Sequence, residues 1–105
     1  MTVPLNLPAY SVVTTGHFDR LLKKLAPKHP DLVERFEEAI GILSLDPFNK
    51  SGRHPIKKLN DVAAGEGQYR LRSGRFRFRY DVAGREVVLL YCVGCVERRH
   101  TEWMG

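Results

Sequence analysis

Apolar positions along this chain change period twice, and each change marks a different kind of element. Residues 10–14 are β-branched or aromatic apart from Ser11, and read as a first strand. Phe18, Leu21, Leu22 and Leu25 then recur at the three-and-four spacing of one helical face. Thr15 stands where it would cap that helix, which begins near His17, and Pro27 and Pro30 bracket its end. A second helix starts around Pro30 and Asp31. Leu32, Val33, Phe36, Ile40 and Leu43 form its apolar face, and Glu34, Glu37 and Glu38 its solvated one. Asp46-Pro47 stops it. Residues 48–66 are a polar connection, interrupted by Ile56-Lys57-Lys58-Leu59, a short strand or turn. From Gly67 the period becomes two. Tyr69, Leu71, Phe76, Phe78 and Tyr80 alternate with Arg70, Arg72, Arg75, Arg77 and Arg79, around Ser73-Gly74 as a two-residue hairpin loop. Residues 87–93 are apolar on both faces, which suits a strand in the middle of a sheet, with Ala83-Gly84-Arg85 as the turn before it.

The order is β-α-α-β-β-β. The expected fold is α+β, with two N-terminal helices packed on one face of a small, mostly antiparallel twisted sheet. Residues 1–105 are expected to form a single domain, with an extended arm at 1–9 and a charged tail at 96–105. Hydrophobic content of 43% is ordinary for a globular chain and supplies one modest core. No run approaches the roughly 18 apolar residues of a membrane span. Residues 1–10 lack the basic start and long apolar stretch of a signal peptide. A cytoplasmic protein without a membrane partner is expected, and Cys92 and Cys95 are then reduced.

Charge adds a partner class. Lys and Arg number 17 against 12 Asp and Glu, a net +5, which favours an anionic partner. The hairpin says where it would bind. With Ser73-Gly74 as the loop, Arg72 faces Arg75, Arg70 faces Arg77, and Arg79 continues the row beside Gln68. Leu71 then meets Phe76 and Tyr69 meets Phe78 on the opposite face, which takes the helices. Like charges placed directly opposite cost roughly a few tenths of a kcal/mol per pair. Five arginines on one face with no acid among them point to a polyanion, whose phosphates the planar guanidinium fork matches. The competing reading is a solvated face paired with Glu66, Asp81, Glu86, Glu97 or Glu102; an acidic protein partner fits the same face.

Residues 69–80, Tyr-Arg-Leu-Arg-Ser-Gly-Arg-Phe-Arg-Phe-Arg-Tyr, resemble the central hairpin of RelE/ParE toxins. Lys57-Lys58-Leu59 resembles their upstream Lys-x-Leu element. The amphipathic stretch 18–25, the helix ending from Ile42-Leu43 to Asp46-Pro47, and the apolar strand closing on Gly94 resemble the family as well. The resemblance spans about residues 10–103. It implies the toxin of a type II toxin-antitoxin pair: a metal-independent endoribonuclease that cuts messenger RNA on the ribosome and is held inactive by a cognate antitoxin. The alternatives are a ParE-like toxin that inhibits DNA gyrase without cutting RNA, and a non-catalytic nucleic-acid-binding module. No cofactor or metal is expected. On the RNA-cleaving reading, Arg77 stabilises the charge building on phosphorus. Arg70 and Arg72 orient the phosphate, Arg99 supplies the tail arginine, and His100 acts as acid or base. Lys57, Lys58, Arg75, Arg79 and Arg98 are the expected RNA contacts. Trp103 stands about where many relatives carry a Tyr, and indole is no acid or base at neutral pH. His54, Glu97 and Glu102 therefore stay beside His100 as proton-transfer candidates.

Cys92-Val-Gly-Cys95 has the spacing of a redox or zinc motif. It ends a strand rather than opening a helix, and no second ligand pair exists, so Cys92 reads as core. If the arginine face binds phosphate, affinity for RNA falls linearly in logarithm with salt. Titration at several salt concentrations reads this directly; a flat response contradicts phosphate binding.

Overall fold

The computed structural model describes residues 9–94. The tail positions Cys95, Glu97, Arg98, Arg99, His100, Glu102 and Trp103 lie outside the described residues, as do residues 1–8. The elements run β1 (Ser11–Thr14), α1 (Gly16–Leu25), α2 (Leu32–Leu45), β2 (Ile56–Lys58), β3 (Tyr69–Ser73), β4 (Phe76–Ala83) and β5 (Glu86–Gly94). They form an α+β fold with one five-stranded sheet in the order β1-β5-β4-β3-β2. Only β1 and β5 pair in parallel; the other neighbours are antiparallel. The ambiguous segment at 56–59 thus supplies an edge strand. β5 lies between β1 and β4, which accounts for its apolar residues on both faces. No helix among the described residues is long and apolar enough to cross a membrane.

Both helices cover one side of the sheet. Thr15 caps α1 by accepting the Phe18 N–H at 3.0 Å, and Phe18, Leu21 and Leu25 are buried. In α2 the buried stripe is Leu32, Ala39 and Leu43, flanked by Phe36. Val33, expected on that stripe, is 45% exposed. The helical period explains this: positions 32, 36, 39 and 43 share a face, and 33 is turned about 100° away.

The hairpin register corrects the sequence-based expectation. Arg72 pairs with Arg77, Arg70 with Arg79, Leu71 with Phe78, Tyr69 with Tyr80, and Ser73 with Phe76. The two-residue turn is therefore Gly74-Arg75, not Ser73-Gly74. Gly74 has φ +61 while Arg75 is not in the left-handed region, the pattern of a turn with glycine at its first central position. The partners slide by one strand period, so the two faces keep their residues. Arg75, however, leaves the row for the turn. The following turn is similarly tighter than expected, since Ala83 still pairs with Glu86 around Gly84-Arg85.

A bulge between β4 and β5 completes the core. Arg79 pairs with Tyr91 but Tyr80 with Leu89, leaving Leu90 as the extra residue. The shift in alternation lets both Leu89 and Cys92 reach the buried face. Burial pushes the Cys92 thiol up to about 11, which makes it an inert core group. Tyr80 is fully buried and its hydroxyl donates to the Pro47 carbonyl at 2.6 Å, tying β4 to the end of α2. Tyr80→Phe strands that carbonyl and is expected to cost about 1–2 kcal/mol. Equilibrium denaturation should show a lower midpoint at unchanged slope; an unchanged midpoint would mean the bond contributes nothing net.

Candidate nucleic-acid interface

Strand alternation carries four of the five hairpin arginines to the sheet face opposite the helices. Cross-strand pairing arranges them in two rows. One runs Lys57, Arg70, Arg79, Tyr91 across β2, β3, β4 and β5; the next runs Arg72, Arg77, Val93. Arg72 and Lys57 are exposed, while Arg70, Arg77 and Arg79 are half-buried. Arg70, Arg77, Arg79, Tyr91 and Val93 line a shallow hollow of about 120 Å³.

The arginines of this face differ in what holds them. Arg79 donates from Nε to the Gly67 carbonyl at 2.9 Å and from Nη2 to the Glu66 carbonyl at 3.2 Å. Its guanidinium carbon lies 5.3 Å from the centre of the Tyr91 ring, a cation–π contact. Arg77 differs: its Nε is buried without a hydrogen-bond partner among the described residues. A buried guanidinium N–H left unmade is costly. The Nε of Arg35 is also buried and unpartnered, but it is covered by the turn, where a Cβ on Gly74 would stand 2.5 Å away.

Asp81 follows Arg77 and Arg79 on the same face, yet it makes no ion pair with them among the described residues. Its carboxylate accepts the N–H groups of Gly65, Gly67 and Gln68 at 2.8, 3.2 and 2.8 Å. Together with the two bonds of Arg79, it latches the 62–68 loop to the sheet. Gly67 has φ +86, and a Cβ there would meet Arg79 at 3.0 Å, so only glycine suits the position.

The remaining expected contacts go elsewhere. Arg75 bonds both carboxylate oxygens of Asp31, at 3.0 and 3.2 Å, meets His29 Nδ1 at 3.1 Å, and stacks over Phe76. Lys58 pairs with Tyr69 and sits over its ring, on the helix side. His54 is held in the loop after α2, its Nε2 3.9 Å from Asp46. Of the described candidates, the structure brings Lys57, Arg70, Arg72, Arg77 and Arg79 together, and not Lys58, Arg75 or His54. Arg98, Arg99 and His100 lie outside the described residues. Sequence reading missed Tyr91 and the Asp81 latch. Tyr91 was hidden in a run that is apolar on both faces, and only its pairing with Arg79 marks it.

A chain of the crystal structure of the RelBE2 toxin-antitoxin complex from Mycobacterium tuberculosis is similar in fold, with a TM-score of 0.60 and 29% identity over 84% of this chain and 99% of that one. A chain of the archaeal RelE–RelB complex from Pyrococcus horikoshii matches with a TM-score of 0.62 and 24% identity, over 85% and 98%. No family model and no curated protein matches the sequence.

The contacts at the turn carry a pH dependence. The Arg75 hydrogen bonds hold the Asp31 carboxyl below its ordinary value, and those of Ser73 and then Arg35 do the same for Glu38. A depressed carboxyl stabilises the fold above its unfolded value and loses that contribution as pH falls through the lower folded value. Burial, then Arg75, lowers His29, so protonating it below about 6.5 also opposes folding. Melting temperature should therefore fall on acidification. Combining Asp31→Asn with Glu38→Gln should flatten the part of that fall below about pH 4.5. A variant as steep as the parent would show that the acid sensitivity arises elsewhere.

Proposed function

We propose that this chain, a member of the RelE-like toxin superfamily, is the toxin of a type II toxin-antitoxin pair and cleaves messenger RNA without a metal. It acts in the cytoplasm, on the ribosome, and a cognate antitoxin holds it inactive. What carries the reading is the hollow that Arg77 shares with Arg70 and Arg79 on the open sheet face. The acid nearest in sequence on that face, Asp81, is bound to backbone N–H groups instead. A phosphate diester supplies the oxygens such a site lacks.

In the proposed reaction the 2′-hydroxyl gives up its proton and its oxygen bonds to the adjacent phosphorus. The bond from phosphorus to the 5′ oxygen breaks, and that oxygen takes a proton. The products are a 2′,3′-cyclic phosphate and a 5′-hydroxyl end. Negative charge peaks on the phosphoryl oxygens midway, where a fixed cation acts most strongly. Arg77 fills that role. Arg70 and Arg72 orient the phosphate, Lys57 and Arg79 border it, and the tail residues His100 and Arg99 complete proton transfer and charge stabilisation.

Primer extension on cellular messenger RNA after a short induced pulse tests this, with Arg77→Ala run alongside. The parent should produce new ends within reading frames, and the variant should lose roughly 100- to 1000-fold of the activity while remaining folded. Growth arrest without new RNA ends would instead support gyrase inhibition. An Arg77→Ala chain that cleaves as the parent does would remove that residue from the mechanism.

A further inference from the structure

Tyr91 and Arg79 line the same hollow as Arg77 and form a composite surface whose aromatic part the phosphate chemistry above does not use. Tyr91 is half-buried on the arginine face, in register with Arg79 and one strand period from the pair Arg77 and Val93. The guanidinium of Arg79 stands over its ring, the carbon 5.3 Å from the centre. The Nε–Nη2 edge of that guanidinium, one that would close a fork on phosphate, already bonds the carbonyls of Gly67 and Glu66. Arg79 is therefore held as a fixed plane over the ring rather than as a swinging phosphate clamp. β1 stops at Thr14, opposite Leu89, so no β1 residue is in register with Tyr91.

We propose that Tyr91 and Arg79 form a stacking platform for one unpaired nucleobase, next to the phosphate seat at Arg77. This rests on the RNA-binding reading and deepens it by naming two residues that hold a base beside the phosphate. The chemistry is general. Unstacked bases settle on aromatic rings and on guanidinium planes, and every base has a π face, so such a platform binds without hydrogen-bond readout. Arg77 and Tyr91 are diagonal cross-strand neighbours, roughly 7–8 Å apart by strand geometry, a separation on the scale of one nucleotide. The seat and the platform would thus hold a phosphate and an adjacent base. The latch formed by Asp81 and the glycine at 67 fixes the platform's plane, because a Cβ at 67 would displace Arg79.

The test measures binding of two probes to the full chain: a single-stranded oligoribonucleotide with 2′-O-methyl groups throughout, which cannot be cut, and inorganic polyphosphate of matched charge. Tyr91→Leu should weaken oligonucleotide binding by roughly 5- to 100-fold, the range of one lost base stack. It should leave polyphosphate binding as it was, and Tyr91→Phe should rescue the loss because the ring returns. Equal losses on both probes would show that the ring only supports the fold, and overturn the platform. So would Tyr91→Leu binding the oligonucleotide as tightly as the parent; an effect of Arg77→Ala on both probes would then leave the phosphate reading standing. A parent chain that binds neither probe would overturn both.

Discussion

Helix α2 grips the β3–β4 turn at three points along one of its faces. Asp31 takes Arg75 in a two-pronged ion pair, Arg35 lies against Gly74, and Glu38 accepts the Ser73 hydroxyl at 2.6 Å. Residues 31, 35 and 38 stand one helical turn apart, so the helix meets the turn as a ruler meets an edge. Asp31 makes no side-chain cap bond to its own helix, because its carboxylate is engaged by Arg75. The grip holds the turn formed by Gly74 and Arg75, the register in which Arg72 opposes Arg77 and Arg70 opposes Arg79. Removing Arg75 from the row, it leaves four arginines on the open face.

That open face is electrostatically unusual because its nearest acid is diverted. Asp81 shares a strand with Arg77 and Arg79, yet its oxygens serve three backbone N–H groups of the 62–68 loop. One carboxylate thus organises a loop and makes no ion pair with these arginines among the described residues. Arg79 fastens the same loop from the other side. What remains directed outward is the hollow lined by Arg70, Arg77 and Arg79. Architecture and chemistry meet in these few residues: the sheet pairs like charges, an arrangement that a polyanion would compensate.

Periodicity in the sequence made most of the architecture legible. The switch from the three-and-four spacing of Phe18, Leu21 and Leu25 to the strict alternation after Gly67 separates helix from hairpin. Doubly apolar residues 87–93 identify the interior strand. Register was less legible. Ser73-Gly74 and Gly74-Arg75 are both two-residue loops, and the contacts of Asp31 and Glu38 that accompany the observed one come from far away in sequence. Because the two choices differ by one strand period, the arginine face survived the error while its pairings did not. Val33 was assigned to the core since its hydrophobicity says nothing of its angle once Phe36 and Ala39 fill the stripe. Tyr91 escaped notice, and Asp81 was read only as a possible partner of the arginines, for a related reason: each becomes informative through a partner on another segment.

The central claim is that phosphate seats against Arg77 on the open sheet face. The most direct measurement is a titration of the arginine side-chain N–H correlation spectrum with a non-cleavable single-stranded oligonucleotide. The account predicts that the Arg77 Nε–H resonance shifts strongly, with Arg72 responding less and the Arg75 resonance, held by Asp31, staying in place. A spectrum in which Arg77 is unmoved while binding saturates would contradict it, and would place the nucleic acid on another surface.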